Sequence, residues 1–219
     1  MIAAELINDA IPPLRTTDPI QKALDRMAEF KVRHLPLVNE DQYLGLVAEE
    51  ELTEPDHTIL LSEIHLDLLN PYIMEEQHLY EVVRLMYERQ ISALPVLTTA
   101  KTYVGVIPKN ALVDSFAEFA AVTEPGGIIV LEVTNINNSL AYMAQIVESD
   151  NAKILSANLQ SFPDSTRMEM TLKINKPDLS AISASFVRYG YDVKAVFGQT
   201  DGDDDTMDRY DSLMNYLNI

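Results

Sequence analysis

Apolar residues recur along this chain in two rhythms, one helical and one extended, and each rhythm occurs twice in the first half. At Ile20, Ala23, Leu24 and Met27 the spacing is i, i+3, i+4, i+7, which lines one face of a helix. The same spacing returns 59 residues later at Leu79, Val82, Val83 and Met86. Behind each helix the pattern turns to strands: "VRHLPLV" (32–38) and "ISALPVL" (91–97), then a polar turn, then "YLGLV" (43–47) and "YVGVI" (103–107). The offset has grown to 60 by the second strand, so one residue has entered the turn, where insertions disturb least. Thr17-Asp18-Pro19 predicts a capping side chain and a first-turn proline for the first helix, and closing helices are expected to begin near Glu49 and Lys109. Each copy therefore reads as extended segment, helix, strand, turn, strand, helix. A single copy of roughly 50 residues buries little surface, whereas two packed through their sheets share a core.

Pro125-Gly126-Gly127 interrupts both rhythms and predicts a linker over 121–127. Beyond it come a strand at Ile128 to Val133, a helix at Ser139 to Glu148 and strands at Lys153 to Ser161 and Thr166 to Ile174. A helix from Pro177 to Tyr189 and a strand from Tyr191 to Phe197 complete the βαββαβ order of a ferredoxin-like plan. Asp201 to Asp205 resembles a calcium loop, but the twelfth position is Ser212, so solvated linker is the expectation. Tyr210, Leu213, Met214 and Leu217 form a helical stripe expected to dock within a homodimer. The fold class is α+β: a tandem repeat in residues 1–120, with copies at about 1–60 and 61–120, and a second domain over 128–198. Residues 199–219 supply an acidic linker and a C-terminal amphipathic helix.

Composition narrows the function. The net charge of −18 disfavours nucleic acid as a partner. There is no cysteine, hence no disulfide or thiol chemistry. No apolar run is long enough to cross a bilayer and the start lacks a secretory head, which predicts a cytoplasmic protein without a membrane partner. None of the familiar nucleophile, P-loop or zinc-protease motifs occurs, and the four histidines lack metal-ligand spacing, so an enzyme and a bound metal are not expected.

The doubled pattern, carried by "RHLPLV" and "SALPVL", resembles a pair of CBS domains over about residues 1 to 120. The resemblance implies two clefts, many of which hold adenosyl nucleotides in this family. It places the ligand against Val32, Arg33, His34, Leu35 and Pro36 and against Ile91, Ser92, Ala93, Leu94 and Pro95. His34 is in position to stack on a base. The family's hydroxyl and ribose-binding carboxylate positions fall on Ala48 and Glu51 in the first copy and on Pro108 and Ala111 in the second. Glu51 offers two acceptor oxygens to a vicinal diol and Ala111 offers none, so one site is expected to work, in the first cleft. Arg33, Arg89 and Lys109 stand against the acidic Glu49-Glu50-Glu51, which favours AMP or S-adenosylmethionine over ATP as a regulatory ligand, with no cofactor required. The solvated first turn of a helix is the alternative reading of that triplet.

Residues 128 to 198 resemble an ACT domain, whose strand-helix signature falls on "NINNSL". The resemblance implies amino-acid binding at Asn135, Asn137, Asn138 and Leu140, with Asn138 taking a left-handed turn in place of the usual glycine. Together the two modules look like acetoin-utilization-type CBS proteins. Two functions stay open: a sensor that transmits an adenosyl ligand through domain or dimer rearrangement, and an assembly scaffold with degenerate clefts that binds a partner protein.

Overall fold

The computed structural model describes residues 1–163 and 165–198, in two units, Met1–Phe116 and Ala117 onward. The C-terminal stripe and the acidic run before it lie outside the described residues.

In the first unit the two copies share a hairpin plan. The first holds α1 (Ile20–Phe30), β1 (His34–Asn39) and β2 (Gln42–Ala48); the second holds β3 (Ile73–Met74), α2 (Leu79–Arg89), β4 (Ala93–Leu97), β5 (Tyr103–Pro108) and α3 (Ala111–Phe119). The hairpins pair in one register, Leu35 opposite Val47 and Leu94 opposite Ile107, and both are irregular at equivalent places, Leu37/Val38 and Val96/Leu97. Ile20, Ala23 and Met27 bury the apolar face of α1, and Leu79, Val82 and Met86 that of α2. The expected closing helix at Glu49 is absent: Glu49–Glu51 form a single 3-10 turn. Pro55 supplies the reason, since it removes a donor and bars its predecessor from helical geometry, while Ala111 is followed by no proline through Phe119.

The capping expected of Thr17-Asp18-Pro19 is also different. Pro19 occupies the cap position of α1 and no side chain caps the helix. The Asp18 carboxylate accepts instead from Arg15 N at 3.0 Å and Lys22 Nζ at 2.6 Å, with Arg26 Nη1 at 3.4 Å. The free amides of α1 are met by the segment that leads from the first copy into the second: Ile20 N donates to Ile59 O and Gln21 N to His57 O. Symmetrically, Leu79 N of α2 donates to Met1 O. Leu61 N donates to Asp18 O, Ser62 N to Thr16 O, Ala3 N to Gln77 O and Ala4 N to Glu75 O, all between 2.8 and 3.0 Å. Each leading segment thus completes the opposite copy. Pairing is a hydrogen-bonding necessity here as well as a matter of shared core.

The same exchange explains the glycine in each second strand. A Cβ on Gly45 would lie 2.7 Å from Leu68 Cβ, and one on Gly105 would lie 2.5 Å from Ile7 Cγ2. Only a bare backbone lets the exchanged segment approach closely enough for Leu46 and Leu69 to trade hydrogen bonds, and for Asn8 N to reach Val106 O.

In the second unit, β6 (Gly127–Thr134), α4 (Leu140–Ser149), β7 (Ile154–Ser161), β8 (Arg167–Ile174), α5 (Ser180–Arg188) and β9 (Asp192–Phe197) follow one another. The sheet runs β7-β8-β6-β9, antiparallel throughout, which is the split-βαβ topology. Burial along β6 alternates strictly, so one face of the strand builds the core with α4 and α5. The glycines at the start of β6 are packed: a Cβ on Gly126 would lie 1.9 Å from Ile174 O, and Gly127, expected in the linker, is the first residue of the strand and pairs with Ile174. Asn138 does not adopt the left-handed conformation expected of it. The turn is held by Asn137 instead, whose Oδ1 accepts from Thr134 N at 2.6 Å and Thr134 Oγ1 at 3.0 Å.

Candidate functional site

Where the first residues of β1 and β4 meet, the residues expected at the ligand form a tight polar junction. Arg33 N donates to Ser92 Oγ at 2.8 Å, and Ser92 N donates to His34 Nδ1 at 3.3 Å, with Ser92 Oγ 3.1 Å from the same nitrogen. Glu49 N donates to Arg33 O and Lys109 N to Ser92 O, a symmetric pair of contacts that ties each second strand to its first. Burial lowers the pKa of His34; the charge of Arg33 adds to the shift, while Glu50 and Glu49 oppose it. A neutral imidazole accepting at Nδ1 carries its proton on Nε2. His34 therefore serves as an acceptor at the junction between the copies, and its ring is committed to Ser92.

The charges nearby are largely satisfied among themselves. Arg33 reaches Glu49 Oε2 at 3.2 Å and Glu50 Oε1 at 2.7 Å, in exposed pairs of small energetic value that still neutralise the guanidinium. Lys109 is exposed and makes no ion pair among the described residues. Leu35, Ala93 and Leu94 are fully buried, and Val32 and Ile91 nearly so. Pro36 and Pro95 are buried as well, and Pro36 O accepts from Leu14 N. These residues are core first; what they offer a ligand is the edge of the cleft that they support.

One cleft of this unit lies in the second copy. Leu69, Asn70, Pro71, Arg89 and Ile91 line a cavity of about 260 Å³. Its wall is fixed from behind: Tyr43 Oη donates to Pro71 O at 3.0 Å, and the Tyr43 ring meets Tyr72 edge to face at 6.5 Å. Burial, with Tyr103 beside it, pushes the Tyr43 phenol up, so it remains a donor. Glu51 Oε2 accepts from Asp67 N at 3.2 Å, which places the expected ribose carboxylate at the start of this same leading segment. Among the described residues Arg89 makes no ion pair.

The equivalent positions in the first copy, one repeat earlier, are the exposed Ala10 and then Ile11, Pro12, Phe30 and Val32. Ile11 and Val32 are buried in the first apolar cluster together with Leu52, and Phe30 packs against it. Phe30 stands where the second copy has Arg89, and Ala111 where the first copy has Glu51. Of the residues that sequence reasoning did not place in a cleft, Leu69, Asn70 and Pro71 were available from the repeat offset, which superposes Asn70-Pro71 on Ile11-Pro12. Tyr43 carried no sequence signal beyond its recurrence as Tyr103.

In the second unit, Asn137 lines a cavity with Ser139 and Tyr142, while Asn135, Asn138 and Leu140 do not line it. Among the described residues no cluster of acidic or histidine side chains is arranged to hold a metal, and no helix is long and apolar enough to cross a membrane.

Known proteins resemble parts of this chain. An uncharacterized 33.4 kDa protein in a ribosomal RNA operon of Thermofilum pendens is 26% identical over 160 residues, 63% of this chain and 53% of the relative. The chain thus spans about half the length of that curated relative. Among solved structures, a CBS domain pair/ACT domain protein from Thermotoga maritima is 18% identical, with a TM-score of 0.48 over 54% of this chain and 98% of that one. CBSX2, solved in complex with AMP, is 15% identical, with a TM-score of 0.46 over 54% of this chain and 97% of its own. The CBS domain family model matches twice, at residues 3–55 and 67–118, which contain the two helix-hairpin copies. The doubled match supports a CBS domain pair in this part of the chain.

Proposed function

We propose that this protein is a non-enzymatic regulator whose CBS pair senses one adenosyl ligand per chain, in the cleft of the second copy. The observation that carries this reading is the 260 Å³ cleft itself, bounded by Leu69, Asn70, Pro71 and Ile91, with Arg89 unpaired at its edge among the described residues. Its volume, just below the usual range of small-molecule pockets, suits the nucleoside part of an adenosyl ligand. Glu51, at the start of the lining segment, supplies the diol acceptor, and a single arginine supplies charge for one phosphate or carboxylate. With Glu49 and Glu50 close to the same turn and a net charge of −18, a triphosphate meets more repulsion than AMP or S-adenosylmethionine. Binding stabilises whichever arrangement of the leading segment closes the cleft, and that differential affinity is the signal.

The C-terminal unit, with its βαββαβ order, supports an ACT-type domain, and exposed Val83, Tyr87, Val113 and Phe116 on α2 and α3 support homodimer formation. The apolar filling of the first cleft favours a scaffold role for that half of the pair. Thermal unfolding with and without AMP, ATP and S-adenosylmethionine tests the sensor reading. A saturable rise in midpoint with AMP or S-adenosylmethionine, reduced by Glu51→Ala, is the expected result. No shift with any of the three leaves the scaffold.

A further inference from the structure

The second unit contains a larger cavity, of about 380 Å³, built where the β6–α4 connection meets the turn from α5 into β9. Three tyrosines line it, Tyr142, Tyr189 and Tyr191, together with the amides of Asn137 and Gln145 and the hydroxyl of Ser149. None of its lining residues is charged. Gly190 has φ +83, a conformation open to glycine, and the turn it makes brings the tyrosines on either side of it to one cavity. Tyr191 is a fixed wall, because its ring meets Phe186 edge to face at 5.5 Å and 89°. Tyr142 and Tyr189 are the opposite case, 66% and 68% exposed. Two large rings open to solvent beside a concave surface offer faces for stacking.

The polar groups restrict the occupant further. Asn137 Oδ1 already accepts two hydrogen bonds from Thr134, so its NH₂ group is what remains to face a ligand. The Gln145 amide has no partner among the described residues and offers a donor and an acceptor. Burial raises the pKa of Tyr191, with Tyr142 adding to the shift, so that hydroxyl stays protonated at neutral pH. An anion has no cationic partner here and a cation has no carboxylate. Rings that stack and amides that read an edge match a flat heterocycle.

We propose that this cavity binds an uncharged, planar heteroaromatic molecule, stacked on Tyr142 and Tyr189 with its polar edge read by Asn137 and Gln145. The site is independent of the CBS cleft. The test is an amide-resolved NMR titration of the full chain with nicotinamide, uracil and indole as neutral rings, and with tetramethylammonium and acetate as charged controls. The expected result is saturable shifts with at least one neutral ring, confined to residues 136–149 and 189–191. In a Tyr142→Ala/Tyr189→Ala variant with an otherwise unchanged spectrum, binding weakens about tenfold or more. Three results overturn the proposal: no saturable shift at millimolar ring concentrations, undiminished binding after both rings are removed, or tetramethylammonium or acetate binding as tightly as the best neutral ring. Shifts near Leu69 to Ile91 report the other cleft and leave this count unaffected, so failure at one site is distinguishable from failure at the other.

Discussion

Gly45→Ala tests the physical reason for the repeated glycine, and its cost follows from the geometry. The added Cβ would lie 2.7 Å from Leu68 Cβ and 3.1 Å from Leu69 O. Carbon atoms pack at about 3.5 to 4.0 Å, so the two segments must separate by roughly 1 Å. Leu68 Cβ is anchored to the backbone and cannot rotate away. The separation falls on the paired hydrogen bonds Leu46 N to Leu69 O at 2.7 Å and Leu69 N to Leu46 O at 3.2 Å. A further ~1 Å takes both past the hydrogen-bond range. At about 1 kcal/mol each, plus about 1 kcal/mol or more for overpacking, the variant should lose about 3 kcal/mol. A gain of about 0.5 kcal/mol from the stiffer unfolded chain offsets little of this. Gly105→Ala is the companion variant: its added Cβ would lie 2.5 Å from Ile7 Cγ2, a methyl on a branched Cβ that moves only by changing a stiff χ1, so it should lose stability as well. Urea unfolding followed by circular dichroism, with the transition of the first unit resolved, gives both values. A loss below about 0.5 kcal/mol for Gly45→Ala would refute the reasoning.

Other outcomes follow from the same contacts. Asp18→Asn should destabilise the first unit by about 1.5 to 3 kcal/mol, the range for hydrogen bonds to a charged group, measured by urea unfolding at pH 7. Burial alone would raise the Asp18 pKa, but the Lys22 hydrogen bond, the Arg15 amide and the charges of Lys22 and Arg26 outweigh it and lower it. A depressed folded-state pKa stabilises above the unfolded value of about 3.9, so the gap between wild type and Asp18→Asn should close as pH falls through the folded value. A gap constant from pH 7 to 2 would contradict this. Tyr43→Phe removes the bond to Pro71 O, and should speed amide exchange at Leu69 while costing about 1 kcal/mol; unchanged exchange there would show that the tyrosine does not fix the cleft wall. Tyr87→Glu, at a 75% exposed position on α2, should shift a dimer toward monomer in sedimentation velocity without lowering thermal stability of the monomer. An unchanged dimer would move the interface elsewhere.

The hairpins and the split-βαβ order were legible because each rests on a local pattern: helical spacing at Ile20 to Met27, the apolar run at Ile128 to Val133. Three features were not. The short 3-10 turn at Glu49 to Glu51 depended on Pro55, which the repeat alignment passed over because the second copy has no counterpart. The cap of α1 was misplaced because Asp18 looks like a capping residue, whereas the amides it would serve are met by Ile59 and His57 from another part of the chain. No local pattern announces a carbonyl delivered from 39 residues away, as Ile59 O is to Ile20 N. The cleft illustrates the same limit. The repeat identified Glu51 as the surviving carboxylate, but no local pattern announces that it accepts from Asp67 N, at the start of the second copy. Which cleft has been filled was readable only in retrospect, from Phe30 standing where the other copy has Arg89.

The central claim is that one cleft of the pair works and the other is closed. Isothermal titration of nucleotide-stripped protein with AMP and S-adenosylmethionine, for wild type, Arg89→Ala and Phe30→Ala, tests it most directly. The account predicts one site per chain, weakened in Arg89→Ala for the phosphate-bearing ligand and unchanged in Phe30→Ala. Two sites per chain, or a single site indifferent to Arg89 and sensitive to Phe30, would contradict it.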